Sequence, residues 1–536
     1  ESSLYNSNTT WTNTLTYSNQ VGRHNIKLLV GSEAIRNYGR SVGGGSQNFF
    51  STDFDYLILN NGTSNVTNYS SAYVNTLFSL FSRLDYSYND KYLLAVTLRR
   101  DGSSVFGPEK RYGVFPSFSA GWRVNNENFM RNMTWLNDLR IRGSYGILGS
   151  KNNVNPSNSL TLFGGGFTNS YYDIAGTSNS IQRGFFQTNI GNPNTSWEED
   201  VITNVGFDAS FLNRVTVSLE YYRKSVNGLL FTEPLLATAG GAAAPVINIG
   251  DIRNEGFDLT AKYAGNITRE LNFSVSANIT SYKNTVIKIP GPRYFDAASQ
   301  QQLGNLVRNQ EGHPVSSFFG YQVVGLFNSN DDVSKSPKQD GAAPGRFKYK
   351  DVNGDGAITP DDRTFIGNPN PDFTYGLNLQ FEYKGFDLSA FFYGSQGNKI
   401  ANTLRVNSDF FGTYLSGKSN DLLHAWTPEN TNTNIPKLES INSFSTAQVM
   451  NSFFVEDGSY MRLKSLMLGY SINSATLRKL GISRSRVYLQ AANLFTLTKY
   501  SGMDPELVGP SSSFGVDWGN YPGNLQNFLA GIDISF

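Results

Sequence analysis

The sequence contains no cysteine, three histidines and 16% charged residues, against roughly 25% charged in soluble domains. Without cysteine there can be no disulfide framework, although no compartment is excluded on that ground. His24, His313 and His424 are scattered and lack metal-ligand spacing, which argues against zinc binding and against catalysis by histidine. Lysine plus arginine total 44 and aspartate plus glutamate 43, so charge points to no nucleic-acid partner. No run of about 18 apolar residues exists. The nearest approach, Pro234 to Gly250, is broken by Gly240, Gly241 and Pro245, and a transmembrane helix is therefore excluded. Glu1 to Thr10 is polar, without the basic start and apolar core of a signal peptide. The glycine runs Gly43-Gly44-Gly45 and Gly164-Gly165-Gly166 lack the Gly-Lys-Ser/Thr context of a phosphate loop and read as loops.

What the chain does have is aromatic content, 29 Tyr and 38 Phe, placed with period two. Leu84, Tyr86 and Tyr88 alternate into a turn at Asn89-Asp90 and are answered by Tyr92, Leu94, Val96 and Leu98. Val205, Phe207, Ala209 and Phe211 repeat this into Leu212-Asn213-Arg214, followed by Val215, Val217, Leu219 and Tyr221. Phe257 to Tyr263 leads in the same way to Leu271, Phe273, Val275, Ala277 and Ile279. Tyr375 to Tyr383 turns at Lys384-Gly385 into Phe386, Leu388, Ala390 and Phe392. Period two marks strands with one apolar and one polar face. Strands of about 9–11 such residues are long enough to cross a bilayer.

The connections alternate between tight turns and long segments rich in Asn, Ser and Gly, at about 149–199, 284–371 and 394–451. Short turns at one end and long loops at the other are the plan of an outer-membrane barrel, with the long loops outside. Tyr86, Tyr88, Tyr221, Tyr263 and Tyr383, near strand ends, fit its aromatic girdles. A soluble β-sandwich or propeller also alternates, but seldom with this loop asymmetry. The last strand alternates strictly through Phe528, Ala530, Ile532 and Ile534 to Phe536. A terminal aromatic there resembles the signal read by the outer-membrane insertion machinery, so Phe536 is expected to direct assembly. About fifteen strands are expected. Single-chain bacterial barrels use even numbers, so the chain is expected to begin inside a barrel.

Three segments carry a family resemblance. The first is Ser79-Leu-Phe-Ser-Arg-Leu-Asp-Tyr with Leu98-Arg-Arg-Asp-Gly-Ser-Ser-Val-Phe-Gly and Phe115-Pro-Ser-Phe-Ser-Ala-Gly-Trp-Arg. The second runs from Gly345-Arg-Phe-Lys-Tyr-Lys-Asp-Val-Asn-Gly-Asp-Gly to Ile366-Gly-Asn-Pro-Asn-Pro-Asp-Phe-Thr-Tyr-Gly. The third joins Tyr460-Met-Arg-Leu-Lys to Asn493-Leu-Phe-Thr-Leu-Thr-Lys-Tyr-Ser-Gly-Met-Asp-Pro-Glu. Together they resemble the SusC/RagA group of TonB-dependent outer-membrane transporters. The resemblance implies an all-β fold, a transmembrane antiparallel barrel of 22 strands closed by an N-terminal plug. It also implies a SusD-like lipoprotein lid and import driven by the TonB complex. Residues 1–536 would be the C-terminal part of that barrel, with the plug and early strands on a remaining N-terminal segment. The function implied is active import of oligosaccharides or oligopeptides across the bacterial outer membrane. The alternatives are a passive diffusion channel, which an upstream plug would exclude, and a secreted, calcium-binding, glycan-binding β protein. No paired-carboxylate constellation for glycan hydrolysis stands out, and the chain is not expected to be an enzyme.

One metal site is expected. In Asp351-Val-Asn-Gly-Asp-Gly-Ala-Ile-Thr-Pro-Asp-Asp, the residues Asp351, Asn353 and Asp355 take ligand positions one, three and five of a calcium loop. Gly356 takes the sharp turn, Ala357 offers its carbonyl at position seven, and Asp362 stands at position twelve. Position twelve departs from the bidentate Glu of an EF-hand, and no helices flank the loop. The competing reading is a polar turn held by Asx hydrogen bonds.

Overall fold

A computed structural model describes residues 1–536 except 166–169, 177–179, 233–234, 236–237, 239, 290, 292, 411–416, 473–480 and 520–522. Gly166 of the second glycine run and Pro234 of the broken apolar run lie outside the described residues, and the first run, Gly43 to Gly45, read as a loop, lies instead within the strand His24–Phe49. Among the described residues no helix is long and apolar enough to cross a membrane, which says nothing of crossing by strands.

Among the described residues fifteen strands of nine residues or more carry the fold. They are β1 Ser2–Val21, β2 His24–Phe49, β3 Gly62–Tyr88, β4 Tyr92–Ser103 and β5 Tyr112–Arg123, then β6 Leu136–Ser150, β7 Glu198–Phe211, β8 Val215–Asn227, β9 Asp251–Asn266 and β10 Leu271–Lys288. The last five are β11 Phe373–Tyr383, β12 Phe386–Gln396, β13 Tyr460–Ile472, β14 Arg484–Ala492 and β15 Asn527–Ser535. The tight turns fall where the sequence places them. Asn89 and Asp90 have φ of 52° and 54°, Leu212 and Asn213 have 52° and 56°, and Lys384 and Gly385 have 48° and 89°. Two successive positive φ values give the turn whose twist matches that of the strands it joins.

The chain divides into two compact units. Unit 1 holds Glu1–Arg131, Arg140–Val205 and Lys224–Asp251; the rest forms unit 2, and the β7–β8 hairpin contributes to both. In unit 1, β1 to β6 follow one another as antiparallel neighbours. Their register aligns apolar side chains in rungs. Tyr17 faces Leu28, Leu28 faces Leu84, Leu84 faces Val96, Val96 faces Phe118 and Phe118 faces Tyr145. Two rungs nearer the turns stand His24, Tyr88, Tyr92 and Trp122. The opposite face carries Lys27, Glu33, Asp85 and Arg99.

Unit 2 repeats the arrangement over β10 to β15. One rung is Phe273, Phe381, Leu388, Leu468, Leu489 and Ala530; the next toward the turns is Leu271, Tyr383, Phe386, Tyr470, Val487 and Ile532. Leu489 is 63% exposed and Phe528 is 73% exposed. A soluble sheet would bury such rungs, because each large apolar side chain left in water forgoes about 1.5–3 kcal/mol. Lipid is the solvent that removes this cost.

The structure corrects the reading of the long segments as polar loops. The largest buried apolar cluster lies within 284–371 and 394–451 and beside them, and includes Leu306, Phe318, Phe347, Val406 and Phe454, all with no exposed surface. The short strands Tyr294–Gln300, Gly304–Gln310, Ser317–Gly320 and Thr364–Gly367 pair into a four-stranded sheet there. The apolar residues of these segments come singly or in pairs, such as Leu306-Val307 and Phe318-Phe319, without a sustained period. Only pairing between distant stretches brings them to one side.

Candidate functional site

The expected metal loop is folded as a tight turn on that loop core. Asp351 accepts from the N–H groups of Gly354 (2.7 Å) and Gly356 (2.9 Å). Asn353 accepts from Asp355 N–H at 3.0 Å and donates to the Asp355 carboxylate at 2.9 Å; Asp355 also accepts from Ala357 N–H at 2.9 Å. Gly354 and Gly356 take φ of 77° and 84°, a backbone region that side chains with a Cβ rarely adopt. The adjoining Ile358 is buried in the apolar cluster and bonded through its N–H to the Lys338 carbonyl at 2.8 Å, which ties the turn down.

Asp362 does something different from its neighbours. It has no exposed surface, and it accepts from the backbone N–H groups of Thr359 (2.7 Å), Val352 (2.8 Å) and Asn353 (3.4 Å). With Thr359 it forms a capping box around the short turn Pro360–Asp362. Burial alone would raise its pKa, but the three backbone donors outweigh burial and hold the carboxyl below its ordinary range. Asn353 and Asp355 are thus in contact and Asp351 accepts from the same turn, while Asp362 is a buried acceptor for the chain. Among the described residues no three His, Cys, Asp or Glu side chains are placed to share a metal ion. His24 bonds the Tyr86 hydroxyl (2.8 Å) and His313 stacks on Phe365 with ring centres 3.6 Å apart.

Other groupings escaped the sequence reading. Arg462, on β13 and almost fully buried, donates to Asp504 (2.6 Å), Glu506 (2.6 Å) and Thr496 (2.7 Å), and Lys464 also reaches Glu506. This anchors the Met503-Asp-Pro-Glu segment to the strand. The expected motif residues were recognised, but nothing local says that positions about forty apart are ion partners. On the polar face of unit 1 a cavity of about 780 Å³ is lined by Lys27, Asp85, Arg140 and Arg142. Glu127, just past β5, accepts from Lys91 (2.9 Å), the Tyr92 hydroxyl (2.8 Å) and Trp122 (3.2 Å). Those donors, Lys91 first, lower its pKa to about 2.

Antiparallel strands of bilayer-crossing length, tight turns at one end, structured segments at the other, and one exposed apolar face with aromatic rungs define the wall of a transmembrane β-barrel. Residues 1–494 match the family described as TonB dependent receptor-like, beta-barrel. The chain belongs to that family and resides in the bacterial outer membrane. It is 32% identical to TonB-dependent receptor P3 of Formosa agariphila over 547 residues, covering 99% of this chain and 52% of that protein. It is 28% identical to TonB-dependent receptor SusC of Bacteroides thetaiotaomicron, covering 97% of this chain and 49% of that protein. The solved structure of the RagAB peptide transporter superposes with a TM-score of 0.84 at 26% identity, over 100% of this chain and 56% of that one. The chain spans about half the length of the curated relatives it matches.

Proposed function

We propose that the complete polypeptide imports an oligosaccharide or oligopeptide across the outer membrane, energised by the TonB complex and covered by a SusD-like surface lipoprotein. The observation that carries this reading is similarity over nearly the whole chain to TonB-dependent receptors, SusC among them. The similarity to a peptide transporter of known structure adds to it. The role is that of a transporter and not of an enzyme.

This chain would supply the C-terminal part of the barrel. Among the described residues β1 pairs on one side only, with β2, and β15 on one side only, with β14. In lipid each orphaned backbone group costs several kcal/mol, so further strands of the same polypeptide would cover those edges and bring the plug with them. A passive channel is the competing reading. Uptake by cells carrying the complete gene decides between them: import should stop when the proton-motive force is collapsed or TonB is deleted. Undiminished uptake under either condition would leave the channel as the better reading.

Calcium at Asp351–Asp362 belongs to the proposal as well. Asp351, Asn353 and Asp355 stand at the ligand positions, and a divalent ion would relieve the repulsion between neighbouring carboxylates.

A further inference from the structure

Beyond the bilayer-crossing stretch, β1, β2 and β3 continue as a three-stranded ribbon with a distinctive polar face. Tyr73 on β3 lies opposite Gly39, and Tyr69 opposite Gly43. Both rings pack over the glycine. A Cβ on Gly39 would come within 2.3 Å of the Tyr73 ring, and one on Gly43 within 2.3 Å of the Tyr69 ring. With no side chain beneath, each ring rests on the sheet and stays partly exposed, Tyr73 at 43% and Tyr69 at 57%. The two rings are four residues apart, roughly 14 Å along the strand, which is the span of a short oligomer and not of one small molecule.

The groups around the rings are neutral hydrogen-bonding ones. Ser41 and Ser71 face each other between the platforms, 2.7 Å apart. On the other side of Tyr73, Asn8, Asn37 and Asn75 form one row across the three strands. The carboxamide oxygens of Asn37 and Asn75 are buried and have no hydrogen-bond partner in the structure, so each is an open acceptor for a hydroxyl that reaches it. No Asp, Glu, Lys, Arg or His stands on this face from Ser2 to Thr10, Ile35 to Gly43 or Tyr69 to Leu77, whereas the reverse face carries Arg36 and Arg40.

We infer that this face is a binding subsite for a neutral oligosaccharide, whose C–H faces stack on Tyr69 and Tyr73 and whose hydroxyls bond the intervening serines and the asparagine row. The inference rests on the import reading and narrows its substrate class. A peptide would bring charged termini and side chains to a face with no counter-charge, whereas a sugar chain supplies stacking surface and hydroxyls together.

The test uses the complete transporter purified in detergent. Cello-, malto-, xylo- and mannohexaose are titrated by calorimetry, with hexa-alanine as the peptide control. At least one hexasaccharide should bind, and Tyr69→Ala or Tyr73→Ala should weaken it about three- to tenfold. Gly39→Val should weaken it similarly with both tyrosines present, by lifting the Tyr73 ring, while Tyr73→Phe should retain binding. Heat-modifiable gel mobility checks that each variant is folded. No saccharide binding by the wild type, binding of hexa-alanine alone, or saccharide binding unchanged in the alanine and valine variants would each overturn the subsite. Uptake separates the two readings. Unchanged binding in the variants with import still dependent on the proton-motive force defeats the subsite alone, whereas wild-type uptake that ignores that force defeats the import reading.

Discussion

Replacing Asp362 with alanine measures what this carboxylate does for the loop. The side chain takes three backbone N–H groups out of solvent, two of them at 2.7 and 2.8 Å and the third at 3.4 Å. Hydrogen bonds to a charged group contribute about 1.5–3 kcal/mol each, and a bond at 3.4 Å contributes little, so the loss is about 3–6 kcal/mol. It falls on the turn Asp351–Asp362 and not on the barrel strands, because the hydrogen bonds of the Asp362 carboxylate go to Val352, Asn353 and Thr359 within that turn. The readout is hydrogen exchange at the amides of Val352, Asn353 and Thr359 in detergent with a calcium chelator present. About 3 kcal/mol or more predicts at least a hundredfold faster exchange. Asp362→Asn should fall between, since one acceptor becomes a donor facing a donor. The sign of the pH effect follows from the lowered pKa. The contribution is complete above the ordinary value of 3.8 and is lost as pH falls through the lower folded value. If the alanine variant exchanged within tenfold of wild type, the carboxylate would not be the keystone of this turn. If wild type lost its protection on chelation alone, the metal would hold the loop and the hydrogen bonds would be secondary.

Asp355→Ala separates calcium binding from turn structure: it should abolish a site seen as six or seven oxygens at about 2.3–2.6 Å, and calcium-replete crystals without ion density would leave only the hydrogen-bonded turn. Leu489→Arg puts a charge in the middle of an apolar rung and should destabilise the barrel by about 2–4 kcal/mol if that rung lies at the bilayer midplane; unchanged unfolding in urea would show that the rung does not face lipid. Arg462→Met leaves Asp504 charged and buried, at about 3–5 kcal/mol, so protease cleavage within 500–519 should rise and should partly recover in the double variant with Asp504→Asn. Phe536→Asp costs only about 0–1 kcal/mol near an interface, yet surface levels should fall sharply if Phe536 is the assembly signal, and normal levels would refute that role.

The strands and the tight turns were legible in the sequence because both are set locally. Alternation places Leu84, Tyr86 and Tyr88 on one face wherever the strand goes. Asn89-Asp90 and Lys384-Gly385 tolerate positive φ whatever surrounds them. The tight turn at Asp351–Ala357 was legible for the same reason, since Asp351, Asn353 and Asp355 accept from backbone N–H groups two to five residues on. Asp362 was assigned to the same ligand set, but only the folded loop shows both its oxygens turned onto backbone amides, because that depends on burial against a core made elsewhere. The core itself, Phe318 with Phe347 and Phe454, comes from stretches more than a hundred residues apart at its extremes and has no period to read. Arg462 with Asp504, and Tyr73 lying over Gly39, depend likewise on which strand or loop stands beside which. Hydrophobic period and turn stereochemistry are properties of a few consecutive residues, so the sequence alone determined the antiparallel, membrane-facing sheet. Register and loop docking are agreements between distant residues, and only the tertiary structure decided which side chains share a site.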